Sequence, residues 1–190
     1  MQLIELDRRA LDAARWILSP VTAADLDRPT PCADWTLREL LVHLVSENQG
    51  FASAVQGGTD RAVWTGGTLD PDPIQAFAAS AALVTEAFAA DNVLGRTVEV
   101  REFGVLPGKV AVMMHVIDTV AHSWDVASAL GQVWELDDDL VGAALEMLLK
   151  FPLTRGPGQA FGEEFAVSGE ASVADRFLAF TGRDPRWDRR

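Results

Sequence analysis

The sequence feature that most constrains the fold is an uninterrupted helical pattern over residues 110–131, VAVMMHVIDTVAHSWDVASALG. At about 100° per residue, four polar side chains fall within an arc of about 80° on one side of this helix. We call them the polar row: His115, Asp118, His122 and Asp125. The opposite side carries a broad apolar face, which predicts packing against neighbouring helices.

The composition of the polar row favours a functional role. An amphipathic helix ordinarily places its polar side in water, and that interpretation stands as the alternative. Solvated helix faces are usually covered by Lys, Arg and Glu, and residues 110–131 contain none of these. Asp118 and His122 are spaced i, i+4, so both side chains can converge on one cation.

Length and charge limit the class of protein. The 190 residues are enough for one domain, which we assign to residues 1–190. The formal charge of −12 argues against nucleic acid and anionic membrane surfaces as partners, because both are bound through clustered Lys and Arg. No apolar run approaches the roughly 20 residues of a membrane span, and the amino terminus lacks the apolar core of a signal peptide. We therefore expect a cytoplasmic protein.

Apolar periodicity and capping signals predict an all-α bundle of four long helices with one or two extra short ones. The predicted helices span residues 3–19, 36–55, 73–90, 110–131, 138–150 and 174–181. Thr36 and Glu39 form a capping-box pattern, Asp72 and Pro73 start the third helix, and Gly131 ends the fourth as a left-handed cap. Residues 56–72 are predicted to be a surface loop, and residues 96–108 allow a short strand.

Three residues are candidate metal ligands. A catalytic site of the zinc type needs three protein ligands of the histidine and carboxylate class, with a position left open for water or substrate. Asp118 and His122 supply two from one helix, and His43 on the second helix is the natural third. Sets of two histidines and one carboxylate also serve iron and nickel, so the residues alone leave the metal open. Asp125 is a candidate acceptor for the other ring nitrogen of a ligating histidine, with a plain helix-surface role as the alternative.

Other residues near this set are candidates for proton transfer. Glu39 and Glu47 lie one turn to either side of His43, where either could accept a proton or orient the ring. His115 is a candidate fourth ligand or acid–base group, with an exposed position as the alternative. The single cysteine, Cys32, cannot form an intramolecular disulfide and fits a reducing compartment. A small buried side chain is its more common role.

Three segments, TPCADWTLRELLVHLV, HVIDTVAHSWDVASALGQ and DRFLAFTGRDPRW, occur in this order. Together they resemble the actinobacterial branch of the DinB-like superfamily, the metal-binding proteins related to mycothiol-dependent maleylpyruvate isomerase. The resemblance implies an up-down four-helix bundle that holds a divalent metal, often zinc. The ligand positions of the family correspond here to His43, Asp118 and His122.

The resemblance also implies an activity. The metal would activate a low-molecular-weight thiol such as mycothiol for S-transfer to, or isomerisation of, an electrophilic small molecule. Asp118 stands where isomerase-like members have Glu, and the isomerase has an additional carboxy-terminal domain for which 190 residues leave no room. We therefore do not expect maleylpyruvate isomerisation itself. Arg96 and Arg101 are candidate contacts for substrate carboxylates.

Two other functions stay open at this point. One is a non-catalytic bundle that binds a metal, a small ligand or a partner. The other is hydrolysis by metal-bound water, which needs the same ligands. A homodimer is the assembly considered, without a sequence feature that requires it.

Overall fold

The six predicted helices are all present in the computed structural model, which describes residues 3–32, 34–156 and 159–187. The helices are α1 (Leu3–Leu18), α2 (Leu37–Val55), α3 (Pro73–Phe88), α4 (Gly108–Leu130), α5 (Asp138–Leu148) and α6 (Val173–Phe180). Strands β1 (Thr97–Val100) and β2 (Gly104–Pro107) form an antiparallel hairpin in the segment where a short strand was allowed. Helices α3 and α5 end two residues earlier than predicted, which is the usual uncertainty at a helix end. No helix within the described ranges is long and apolar enough to cross a membrane.

Capping residues fix where the helices begin and end. The side chain of Thr36 accepts a hydrogen bond from the backbone N–H of Glu39, and the Glu39 carboxylate accepts one from the backbone N–H of Thr36, which completes the predicted capping box. Asp72 accepts hydrogen bonds from the first N–H groups of α3. Gly131 ends α4 at φ 67°, the left-handed conformation that favours glycine.

Helices α1 to α4 form a four-helix bundle, as predicted. Helix α4 packs against α1 and α2, and α3 closes the ring by packing against the same two helices. Their apolar faces share one core, which includes Leu41, Phe51, Phe77 and Phe88. Helices α5 and α6 lie beside α4 and enclose a second core around Trp124 and Phe177. The all-α fold class is therefore confirmed, with one small hairpin added.

Helix α4 is buried on nearly its whole circumference. The bundle covers one side, and α5 and α6 cover the side that carries Ile117, Val120 and Trp124. His122 is 8% exposed and Asp125 is fully buried. The alternative that the polar row is a solvated face is therefore wrong, because α1 and α2 of the bundle, together with Arg183, cover this side of α4 and leave only Asp118 partly exposed.

His115 belongs to a polar network that links all four bundle helices. Its Nδ1 lies 2.6 Å from Asp7 Oδ1 on α1, and its Nε2 lies 2.9 Å from Asn48 Oδ1 on α2. Asn48 donates to the Ser80 hydroxyl on α3, which fixes the direction of the amide. Because both ring nitrogens already have partners, His115 has none to offer a metal or a substrate. The structure therefore contradicts the predicted roles of His115 as a fourth ligand or an acid–base group, and the alternative of an exposed position.

The loop over residues 56–72 contains an unpredicted 3-10 helix, Arg61–Thr65, whose Trp64 is buried against α2. The Trp64 ring packs against Gly50, and a Cβ at this position would collide with the ring. The ring also lies 4.9 Å beneath the guanidinium of Arg101, which stands in the turn between β1 and β2. Gly50 therefore determines how closely this loop approaches the bundle.

Gly50→Ala is expected to destabilise the fold by about 1–3 kcal/mol, the usual cost of overpacking a core. An added Cβ would overlap the Trp64 ring and displace it. Gly142→Ala in α5 is the matched control, because its added Cβ would lie 3.7 Å from Val173, an ordinary contact. The control should gain about 0.5–1 kcal/mol from helix propensity. Urea denaturation of both variants measures the difference, and equal effects would contradict the packing of Trp64 on Gly50.

Candidate metal site

Helices α2 and α4 bring His43, Asp118 and His122 together, and we call these three residues the ligand cluster. Nε2 of His43 lies 3.4 Å from Asp118 Oδ1, and Nε2 of His122 lies 3.5 Å from the same oxygen. All three candidate ligand atoms lie within 4.8 Å of one another. The Trp35 ring covers the two imidazoles, with ring centroids 4.8 Å from His43 and 5.9 Å from His122.

The two separations from Asp118 Oδ1 match those expected of atoms that share a metal. Zinc bonds of about 2.0–2.1 Å at tetrahedral angles place neighbouring ligand atoms about 3.3–3.4 Å apart. Charge-assisted hydrogen bonds are shorter, about 2.7–2.9 Å. The same protein contains such short contacts, since His115 lies 2.6 Å from Asp7 and His122 Nδ1 lies 2.8 Å from Asp125 Oδ2. The two contacts of Asp118 Oδ1 are distinctly longer.

A free oxygen remains on Asp118. Its Oδ2 atom is buried, and no group among the described residues forms a hydrogen bond with it. Buried carboxylate oxygens without partners are rare, because burying a polar atom without a hydrogen bond is costly. A cation bound by the ligand cluster could satisfy the carboxylate, so the donor set and this oxygen fit a divalent metal.

Asp125 determines which nitrogen of His122 faces the ligand cluster. Its Oδ2 accepts from Nδ1 of His122, which leaves Nε2 directed at Asp118. Burial raises the pKa of Asp125, but the charge of Arg183 and the His122 contact outweigh this and hold that pKa well below its usual range. Asp125 is therefore an ionised acceptor that fixes the imidazole, as expected for the outer partner of a metal-ligating histidine.

The charges within the ligand cluster are strongly coupled. Burial lowers the pKa of His43, and Asp118 only partly opposes this. Burial also disfavours charge on His122, but Asp118 and Asp125 reverse the effect and raise the pKa of His122 well above its usual value. Burial alone would raise the pKa of Asp118, whereas the two histidines lower it well below normal. Asp118 and Asp125 thus favour the protonated form of His122, and the two histidines favour the ionised form of Asp118.

Residues 8–127 match the family described as the mycothiol maleylpyruvate isomerase N-terminal domain, over more than half of the chain. The chain belongs to this family. The match includes the whole ligand cluster and Asp125, and it confirms the DinB-like assignment predicted from the sequence. Arg183 and helices α5 and α6 lie outside the matched residues.

The chain is also similar to two other proteins along nearly its whole length and to two solved structures in its fold. Two uncharacterized proteins from two strains of Mycobacterium tuberculosis are each 34% identical over 186 residues, which cover 94% of this chain and 96% of theirs. Crystal structures of a mycothiol-dependent maleylpyruvate isomerase share the fold at 18% identity with a TM-score of 0.60, and at 17% with a TM-score of 0.64 for its histidine-to-alanine mutant. Both alignments cover 78% of this chain and 68% of the other.

Glu47 lies beside the ligand cluster, as predicted, but its main partner is Arg101. Its Oε1 is 3.8 Å from Nδ1 of His43, whereas both of its oxygens lie 2.7 Å from the guanidinium of Arg101. Burial raises the pKa of Glu47 to about 8, with repulsion from Asp118 adding to the shift and Arg101 opposing it. A cation at the ligand cluster would act in the same direction as Arg101 and favour the ionised form.

Glu39 does not reach His43. Its carboxylate accepts hydrogen bonds from the backbone N–H and the hydroxyl of Thr36, and the residue is exposed at the start of α2. The Thr36 hydroxyl and N–H lower the pKa of Glu39. This corrects the prediction of Glu39 as a catalytic candidate, because the capping box that the sequence also predicts engages its carboxylate at the start of α2. Arg96, predicted as a contact for substrate carboxylates, instead donates hydrogen bonds to the backbone carbonyls of Val55 and Asp91.

Glu39→Ala is expected to lower the melting temperature slightly and to leave metal content unchanged. The substitution removes one side of the capping box, and nothing in the ligand cluster contacts this carboxylate. Thermal denaturation and elemental analysis of the same preparation check both halves of the prediction. A large loss of metal in this variant would contradict the prediction and show that Glu39 contributes to the metal site.

Arg183 is the site residue that sequence reasoning missed. It donates from Nε to Asp125 Oδ1 at 2.9 Å and from Nη2 to Asp125 Oδ2 at 2.7 Å. Cys32 joins the same group, with Sγ 3.3 Å from Asp125 Oδ2 and 4.0 Å from His122 Nδ1. Cys32, His122 and Asp125 could also hold a metal by distance alone. Nδ1 of His122 and Oδ2 of Asp125 are already hydrogen-bonded to each other at 2.8 Å. The ligand cluster is therefore the better candidate for the metal site.

A cavity of about 320 Å³ adjoins the ligand cluster. Asp118 and His122 lie on its wall with Glu47, Arg101 and Arg183, and the other thirteen lining residues have apolar side chains. These thirteen residues come from α2, α4, the hairpin, the last residue of α5 and the segment after it. The cavity has the size and mixed lining of a small-molecule site, with its polar groups near the candidate ligands.

Proposed function

We propose that this protein is a divalent-metal-dependent enzyme that activates a low-molecular-weight thiol such as mycothiol. The thiol would be used for S-transfer to, or isomerisation of, an electrophilic small molecule. His43, Asp118 and His122 would hold the metal, which we expect to be zinc, with nickel and iron as alternatives. The observation that carries the proposal is the spacing of 3.4–3.5 Å from Asp118 Oδ1 to the two histidines, which suits shared ligation better than hydrogen bonding.

A metal bound there would supply Lewis-acid chemistry that lowers the pKa of a coordinated thiol or water. Asp125 and Arg183 keep His122 in one tautomer, so that its Nε2 lone pair is available. Trp35 and the apolar cavity wall limit access of water to the same place. In S-transfer, the thiol loses its proton to water, sulfur bonds to the electrophilic carbon, and the leaving group departs with the electron pair.

Two lines of support favour a thiol over hydrolysis by metal-bound water. Family membership relates the chain to mycothiol-dependent isomerases. The cavity beside the ligand cluster is mostly apolar, which suits an organic electrophile better than a solvated polar substrate.

Cobalt substitution tests the proposed function. Cobalt-loaded protein should give an absorption spectrum that changes when mycothiol is added, including a new sulfur-to-cobalt charge-transfer band. Methyl-capped mycothiol, which has no free thiol, should leave the spectrum unchanged. Cobalt uptake without any response to mycothiol would favour hydrolysis or simple metal binding, and a folded protein that takes up no cobalt would contradict the ligand cluster.

A further inference from the structure

The inference concerns the electrophile and rests on the proposed function. The cavity wall carries two arginines, Arg101 and Arg183, among its described lining residues. Arginine next to a reaction site often binds a substrate carboxylate, because the guanidinium matches it with two parallel hydrogen bonds. Whether these arginines can do so depends on the partners they already have.

Both guanidinium groups are already paired with buried carboxylates. Nη1 and Nη2 of Arg101 each lie 2.7 Å from an oxygen of Glu47, which is 2% exposed. Arg183 makes its two short contacts with Asp125, which is fully buried. A substrate carboxylate would have to displace one of these partners and leave a buried carboxyl group without its arginine contacts, which is unfavourable.

Arg101 is also held in place from other directions. Its guanidinium lies 4.9 Å from the centroid of the Trp64 ring, and its buried Nε, which forms no hydrogen bond among the described residues, has the Glu102 carboxylate 3.5 Å away. The Arg101 carbonyl accepts a hydrogen bond from Arg61. Since Arg101 is fixed in the turn of the hairpin, it cannot swing toward an incoming anion without losing these contacts.

The remaining positive charge in the proposed site would belong to the metal, and a thiolate bound to the metal would offset that charge. A second anion would then enter a mostly apolar cavity with no free counter-charge among the described residues. We infer that the site selects an uncharged, apolar electrophile, and that Glu47 determines this specificity by occupying Arg101. Glu47 is in this account a positioning residue that acts through Arg101.

A matched pair of unreactive probes tests the selection. Toluene and 4-methylbenzoate have the same ring and differ by one carboxylate. Their dissociation constants are measured by ligand-observed NMR on zinc-loaded protein saturated with mycothiol. The parent should bind toluene at least about tenfold more tightly than 4-methylbenzoate, because the anion has no partner.

Substitution of Glu47 should reverse the preference. Glu47→Gln keeps the shape of the side chain and releases the charge of Arg101, so 4-methylbenzoate should bind at least about tenfold more tightly than in the parent. Toluene should be unaffected. The double variant Glu47→Gln with Arg101→Gln is the control, and it should lose the gain for the anion. Reactive analogues, benzyl chloride and 4-(chloromethyl)benzoate, should show the same order in kcat/KM.

Failure of the inference differs from failure of the proposed function. If mycothiol does not bind the zinc-loaded protein in a separate titration, the proposed function fails. If mycothiol binds and the parent binds 4-methylbenzoate as well as toluene, or binds neither, the selection is wrong. An unchanged ratio in folded Glu47→Gln protein would overturn the role of Glu47.

Discussion

Replacing His43 or His122 with alanine is expected to lower the affinity for zinc by more than about 100-fold while the bundle stays folded. Each substitution removes one of three ligands, and loss of even an outer partner costs about 10–100-fold. Asp118→Asn should have a similar effect, because it removes the only negative charge in the ligand cluster. Competition with a chromophoric chelator measures the affinity, and circular dichroism checks the helices.

The control for this prediction is Glu39→Ala. It lies on the same helix as His43, one turn away, and its carboxylate is engaged by Thr36 at the exposed start of α2. Its affinity for zinc should match that of the parent. Equal zinc affinities for the parent and for folded His122→Ala protein would show that the ligand cluster does not hold the metal.

Removing Arg183 is expected to destabilise the protein by about 3 kcal/mol. Breaking a buried ion pair costs about 3–5 kcal/mol because the remaining charge loses its partner. The lower end applies because Asp125 keeps its contact with His122 at 2.8 Å in Arg183→Ala protein. The zinc affinity should fall by about 10–100-fold as well, since Asp125 positions His122. Urea denaturation and chelator competition measure the two effects.

Arg186→Ala is the matched control in the same segment. Arg186 pairs with Asp184 at 3.3 Å, but its side chain is 85% exposed, and exposed ion pairs contribute little. Its denaturation midpoint and zinc affinity should equal those of the parent. If Arg183→Ala behaves like Arg186→Ala, the carboxy-terminal segment does not support the site as described.

Much of the fold could be predicted because its signals are local. Capping residues mark the beginnings of α2 and α3, and Gly131 marks the end of α4. The absence of Lys, Arg and Glu from residues 110–131 indicated that the polar row is not a solvated face. The burial of α4 on both sides could not be predicted from its own periodicity, because α5 and α6 supply the second contact.

The candidate site was predictable only where its members share a helix turn or a motif. Asp118, His122 and Asp125 are neighbours on α4, and His43, the histidine on α2, was predicted as the third ligand from its residue type, with the resemblance implying the same position. His115 shares their side of the helix but lies two turns from His122, about 10.5 Å along the axis, so it serves a different network. Arg183 is distant in sequence, and no local pattern pairs it with Asp125.

The metal content of untagged protein purified without chelator tests the central claim most directly. Elemental mass spectrometry of the parent should find close to one divalent ion per chain, and zinc is the ion expected. The same preparation of His43→Ala or His122→Ala should contain almost none. A folded parent that is metal-free, and that binds none when zinc, nickel or iron is added, would contradict the account and leave a bundle whose buried polar cluster has another role.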